Sequence, residues 1–187
     1  MNRRSALLLL AAALPLGGCL QPSATGSIGP VRSGGEAYTL STGDKLRIIV
    51  FGQDSLSNIY QVDGSGRIMM PLIGLVTVGG MSTVAAGEAI EAKLRSGYVR
   101  EPKVTVEVDT YRPFFILGEV TTSGQFPFVN GMTVQTAVAI AGGFTPRAHR
   151  SYAEVTRRTP RGIQTAEVPI SYAVRPGDTI VIKERWF

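Results

Sequence analysis

Hydrophobic and polar positions alternate most strictly over residues 103–109, where Val104, Val106 and Val108 are interleaved with Lys103, Thr105, Glu107 and Asp109. A period of two predicts a strand with one face on a core and one in water. Leu46, Ile48 and Val50 alternate with Lys45, Arg47 and Ile49 in the same way, just after a Gly43-Asp44 turn. The apolar run 114–117 lies between Pro113 and Gly118 and predicts a strand buried on both faces. Ser123-Gly124 then marks a turn, and 125–129 returns as a second strand.

The period then changes to that of a helix. Thr133 stands at an N-cap, and Val134, Ala137, Val138 and Ala141 follow on one face. Gly142 falls where a left-handed residue closes a helix, because it has no Cβ to clash. Ser82 caps an earlier helix with an expected inward stripe of Val84, Gly87, Ile90 and Leu94, ending at Gly97. Between the first strand and this helix, Asp63-Gly64-Ser65-Gly66 turns 60–62 into 67–70, and 71–78 is an apolar strand broken by Gly74. Near the end, 152–157 and 164–169 form a hairpin around Thr159-Pro160-Arg161-Gly162. Arg175-Pro176-Gly177-Asp178 then turns into a last strand, 179–183. The turn-forming positions are thus Gly43, Asp44, Gly118, Gly124, Gly142, Gly143, Gly177 and Asp178. Short strands mixed with two helices predict an α+β fold of two small domains.

There is an internal echo. STGDKLRIIV and RPGDTIVIK share Gly-Asp before an apolar strand, and GMSTVAAGEAI and GMTVQTAVAI share a capped helix start. The chain therefore reads as two related α+β units.

The first residues do not belong to this fold. Arg3 and Arg4 form a positive region, residues 6–14 an apolar stretch too short to span a bilayer, and Leu16-Gly17-Gly18 a small-residue approach to Cys19. LGGC resembles the lipobox of bacterial lipoproteins, which implies that the Cys19 thiol is diacylated and that Cys19 becomes the mature N-terminus once residues 1–18 are removed. The alternative is an ordinary signal peptide; Arg3-Arg4 also fits twin-arginine export, but Ala6 stands where that signal prefers a large apolar residue, which favours general secretion. Residues 19–36 are rich in Ser, Gly and Pro and read as a flexible tether. Cys19 is the one cysteine, so no internal disulfide can form. Without Arg3 and Arg4 the formal charge falls from +5 to 17 basic against 14 acidic, or +3. That balance argues against a nucleic-acid partner.

GEV, SGQFPF and a small-residue helix closing on AGGF resemble the soluble-ligand-binding β-grasp (SLBB) domain of bacterial outer-membrane polysaccharide export proteins. LSTGDKLRIIVFG, VDGSGRIMMPLIGLVTVGG and the helix leading to EPKVTVEV resemble that family's export domain. The resemblance implies an export domain over 37–110 and an SLBB domain over 111–187. It also implies a lipid-anchored subunit on the periplasmic face of the outer membrane, forming a homo-oligomeric ring that conducts polysaccharide. Family members that build their own pore carry a further C-terminal amphipathic helix, which is not expected after Trp186-Phe187. A separate outer-membrane channel or barrel and an inner-membrane polysaccharide co-polymerase are then expected as partners.

Candidate chemistry is sparse. With one histidine, His149, and Cys19 given to lipid, no zinc site of the usual kind can be assembled, and no metal or cofactor is expected. No catalytic residue is expected either: a nucleophile would depend wholly on His149, and Glu107, Asp109 and Glu119 read as polar strand faces more readily than as a glycosidase pair. Arg147, Arg150, Arg157, Arg158 and Arg161 form the most suggestive charged group, either a wet rim facing acidic polymer or headgroups, or simply a solvated hairpin. Phe114, Phe115, Phe126, Phe128 and Phe144 are either core or a sugar platform. Trp186 and Phe187 pack on a neighbour or on their own domain. The reading from another class is a monomeric periplasmic module that binds a soluble glycan.

Overall fold

A computed structural model of the chain describes residues 38–159 and 162–186. The leader and tether of residues 1–36, with Cys19, and also Arg161 and Phe187, lie outside the described residues. The described residues fold around two hydrophobic clusters, one built from residues before 110 and one from residues after it.

The first cluster is enclosed by β1 (Lys45–Val50), β2 (Asn58–Gln61), β3 (Arg67–Met70), β4 (Gly74–Thr77), α1 (Thr83–Arg95) and β5 (Val104–Thr110). β1 is central in an antiparallel sheet of order β2-β1-β5. Its alternation works as expected: Leu46, Ile48 and Val50 are buried while Lys45, Arg47 and Ile49 face out. Asp63 does form the turn after β2, its Oδ1 accepting the N–H groups of Ser65 at 2.8 Å and Arg67 at 2.9 Å. The flanking strands do not pair with each other, however; β2 bonds to β1 and β3 to β4.

Ser82 caps α1, its side chain accepting the Ala85 N–H at 3.2 Å. The buried stripe is Ala86, Gly87, Ile90 and Leu94, and Val84, expected inside, is 70% exposed. Gly87 explains the rotation. A Cβ there would stand 3.3 Å from the Val104 carbonyl oxygen, so the helix lies against β5 with its glycine face, and Val84 falls to the side.

The second cluster is enclosed by β6 (Phe114–Gly118), β7 (Gly124–Phe126), α2 (Val134–Ile140), β8 (Tyr152–Thr159), β9 (Gly162–Pro169) and β10 (Thr179–Ile182). Their order is β7-β6-β10-β8-β9, with β10 parallel to β6 and the other pairs antiparallel. The Thr133 side chain caps α2, and Val134, Ala137, Val138 and Ala141 are all buried. β6 departs from expectation: Phe114 and Ile116 are buried, but Phe115 and Leu117 face out, so helix α2 covers only one side of this sheet. β7 stops at Phe126 because Pro127 has no N–H to continue the ladder. At the end of β6, a Cβ on Gly118 would sit 2.1 Å from the Ile182 carbonyl oxygen, so only glycine lets β6 and β10 meet there. The fold is α+β, with two helices and several sheets among the described residues.

Candidate functional site

The echo between the two halves is a structural repeat. Tyr38-Thr39-Leu40-Ser41-Thr42-Gly43-Asp44 and Tyr172-Ala173-Val174-Arg175-Pro176-Gly177-Asp178 make the same turn. Asp44 Oδ2 accepts the Ser41 N–H at 2.8 Å, and Asp178 Oδ2 accepts the Arg175 N–H at 2.7 Å. In return, each aspartate N–H bonds the carbonyl of that same residue at 3.1 Å. Four residues before each aspartate, the Leu40 N–H reaches the Met81 carbonyl at 2.9 Å and the Val174 N–H the Met132 carbonyl at 3.0 Å. Met81 and Met132 directly precede the helix caps Ser82 and Thr133. Each turn is therefore stitched to the start of its own helix and feeds the central strand of its own sheet.

Both carboxylates are buried, Asp44 at 0% and Asp178 at 1% exposure, so each needs partners for its charge. Asp178 is held by Arg157 of β8 in a two-pronged pair, Nε to Oδ1 at 2.9 Å and Nη2 to Oδ2 at 2.7 Å. Arg157 also donates to the Tyr172 hydroxyl at 3.2 Å and the Ala173 carbonyl at 3.1 Å, with its guanidinium 5.3 Å from the Tyr172 ring centre. Burial disfavours the Arg157 charge, but hydrogen bonding to Asp178 and its negative charge outweigh that and raise the pKa.

Asp44 is held differently. The Tyr38 hydroxyl donates to its Oδ2 at 2.6 Å, and the backbone N–H of Arg112 to its Oδ1 at 3.0 Å. The Arg112 guanidinium donates to the Tyr38 oxygen at 2.8 Å and lies 3.4 Å from Asp44 Oδ2. Burial, then the hydrogen bond to Asp44, push the Tyr38 hydroxyl far above its ordinary value. Arg112 belongs to the link between β5 and β6, and it runs between the two Gly-Asp turns. A Cβ on Gly43 would lie 3.5 Å from Arg112 Cβ, and one on Gly177 only 2.7 Å from Arg112 Nε. Tyr111 beside it meets the Tyr38 ring edge-on at 5.0 Å and the Phe128 ring at 5.5 Å. The two cores are thus clasped at Tyr38, Tyr111, Arg112 and Gly177. Donors of the chain itself occupy both oxygens of each aspartate, so the clasp fixes geometry and does not offer a carboxylate to a ligand.

Elsewhere the sequence-predicted residues disperse. Arg157, expected at a wet rim, is drawn into the Asp178 pair, whereas its neighbour Arg158 points to the other side of β8 and is exposed, as is Arg150. Arg147 bonds Glu184, whose hydrogen bond and charge raise the arginine's pKa. His149 accepts the Tyr152 N–H on Nδ1 at 3.3 Å. Asp109 pairs with Arg47 at 2.9 Å across the open face of the first sheet, and Thr145 bonds Glu119. Phe114 lies in the second core with Phe126, Phe128 and Phe144 packed against it, and Phe115 faces out.

Comparison with known proteins divides the chain close to the same place. Residues 33–109 match the family model described as polysaccharide biosynthesis/export protein, and residues 113–166 match the SLBB domain. The chain carries a polysaccharide export domain followed by an SLBB domain. Arg112 falls between the two matched stretches, so the clasp occupies the seam between the export and SLBB domains. Similar proteins include the exopolysaccharide production protein ExoF of Rhizobium meliloti, 32% identical over 58% of this chain and 28% of that protein. The EPS I polysaccharide export outer membrane protein EpsA of Ralstonia nicotianae is 26% identical over 84% of this chain and 50% of its own length. The polysialic acid transport protein KpsD of Escherichia coli is 25% identical over 63% of this chain and 21% of its own. The chain thus spans half or less of the length of these relatives. Among its described residues no helix is long and apolar enough to cross a membrane.

Sequence reasoning found the Gly-Asp turns but missed both tyrosines and Arg112. The signal for the tyrosines was present, since each stands six residues before its aspartate. Nothing local marks the arginines, which lie 68 and 21 residues from the aspartates they hold.

Proposed function

We propose that the chain is a periplasmic subunit of an exopolysaccharide or capsule export complex. In this reading it is anchored through acylated Cys19 at the outer membrane, with residues 37–110 as the export domain and 111–187 as the SLBB domain. Copies assemble into a ring-like conduit for polymer, with a separate outer-membrane channel and an inner-membrane co-polymerase as partners. The observation that carries the reading is the clasp. A ring closes only if each copy repeats the same angle to the next, and Arg112, wedged between both Gly-Asp turns, makes the seam of each copy stiff. The work is conduction, not catalysis: weak, repeated contacts suit a hydrated polymer that must keep moving. Arg147, Arg150, Arg158 and Arg161 remain candidates for its charged groups.

Deleting the gene is expected to abolish secreted polysaccharide, and a Cys19→Ala copy to restore little of it. Normal secretion in the deletion strain would overturn the reading. Native mass spectrometry of the acylated protein in mild detergent is expected to show closed multimers. A single-copy mass would select the competing reading, a monomeric glycan-binding module, which is favoured by an aromatic pocket on the second sheet.

A further inference from the structure

That pocket lies at the end of β10, away from the clasp. The backbone beyond β10 stays paired: the His149 N–H reaches the Lys183 carbonyl and the Arg185 N–H the Arg147 carbonyl, each at 2.8 Å. Residues 183–185 are thereby fixed against 147–149, and the next residue, Trp186, emerges from a held backbone beside His149 and Tyr152. Trp186 is 93% exposed and Tyr152 49%. The His149 and Tyr152 rings lie 5.8 Å apart at 37°. These three rings, with Glu167, Lys183 and Glu184, line an open pocket of about 140 Å³.

We propose that this pocket is a subsite for one neutral glycosyl residue of the exported polymer, a proposal that rests on the export reading above. Indole and phenol rings with exposed faces offer a flat apolar surface to the C–H face of a pyranose. The polar side chains around them are already oriented by one another: Lys183 Nζ lies 2.9 Å from Glu154 Oε2 and 3.6 Å from Glu167 Oε2, and Glu184 is bonded by Arg147. Carboxylates held in this way accept hydrogen bonds from sugar hydroxyls with little further loss of side-chain freedom. The charge around the pocket decides the class of sugar. Of the ionic side chains that line it, Glu167 and Glu184 outnumber Lys183 by one, which disfavours a uronate or sialate and admits an uncharged ring. At about 140 Å³ the open pocket takes a single ring, so the contact is weak enough to release a passing chain.

Trp186 is the one tryptophan in the sequence, so emission excited on the red side of the tyrosine absorption band reports on this pocket alone in the unmodified chain. The acylated chain in mild detergent is titrated with neutral hexasaccharides, maltohexaose and any obtained from the host's own secreted polymer, and in parallel with hexagalacturonate. Expected are a saturable blue shift and protection from acrylamide quenching by at least one neutral hexamer, half-complete at about millimolar sugar. Tyr152→Ala, checked for unchanged circular dichroism, is expected to weaken that response about fivefold, and Tyr152→Phe to preserve it. No response to any neutral hexamer, an equal response from hexagalacturonate, or no effect of Tyr152→Ala overturns the proposal. So does an emission shift that follows protein concentration instead of sugar, which would mean that a second copy covers Trp186. The outcome is separable from the export reading, because lost secretion in the deletion strain with silent fluorescence removes only the subsite.

Discussion

Asp44 and Asp178 occupy the same position in the same seven-residue turn, yet the two turns serve different ends. Asp178 is closed within its own half, by an arginine on the neighbouring β8 strand. Asp44 is closed from outside its sheet, by a tyrosine six residues back and by the link that leads into the second half. One turn seals a core; the other is a socket for the seam. The difference teaches that a buried carboxylate sets a demand for a cation without specifying where the cation comes from. A repeated motif can therefore be reused for joining simply by leaving that demand to a residue of the linker.

The comparison can be broken most severely at Asp178. Asp178→Ala leaves the Arg157 guanidinium, with a side chain only 16% exposed, without its carboxylate. A loss of about 3–5 kcal/mol is expected, read as a lower midpoint in guanidinium unfolding; an unchanged midpoint would mean that the pair contributes nothing. Arg112→Met should cost less, about 2–3 kcal/mol, because Tyr38 and two backbone N–H groups still bond Asp44. Its particular signature is calorimetric: one unfolding transition is expected to separate into two, since the halves lose their shared residue. A single, unshifted transition would show that the halves are joined by something else.

Tyr38→Phe sharpens the contrast, removing one hydrogen bond to Asp44 for about 1–2 kcal/mol. It also carries a pH dependence. The folded pKa of Tyr38 is raised above the ordinary 10.0, so its contribution to stability is complete below pH 10.0 and is lost as pH climbs through the folded value. Alkaline titration followed by tyrosinate absorbance should therefore show one late-ionising group in the native protein that is missing from the variant. The smallest effects are expected at the helix caps. Ser82→Ala and Thr133→Ala should each cost about 1 kcal/mol, and in thermal melts the Arg112→Met background should assign each loss to its own transition.

Much of this was legible in the sequence because it depends on neighbours along the chain. The alternation at 45–50, the caps at Ser82 and Thr133, and the Gly-Asp turns follow from side-chain period, local hydrogen bonding and backbone strain. The misreadings all involve a partner distant in sequence. The spacing of Val84 predicts a core position, but the close approach of Gly87 to Val104 turns the helix. The apolar run at 114–117 predicts burial on both faces, but only one face of that sheet carries a helix, and Phe115 and Leu117 face out. Arg157 and Arg158 are adjacent and chemically alike; the strand sends one to Asp178 and the other to the surface.

Local chemistry along the chain therefore determined which segments are strands, where the helices begin and that each half carries a Gly-Asp turn. Tertiary structure alone decided which arginine answers each aspartate, that Arg112 lies between both turns, and that Tyr152, His149 and Trp186 share one pocket. The physical reason is range. Caps, turns and periodicity act over a few residues, whereas the burial of a charge or the exposure of a ring depends on which segments the whole fold brings together.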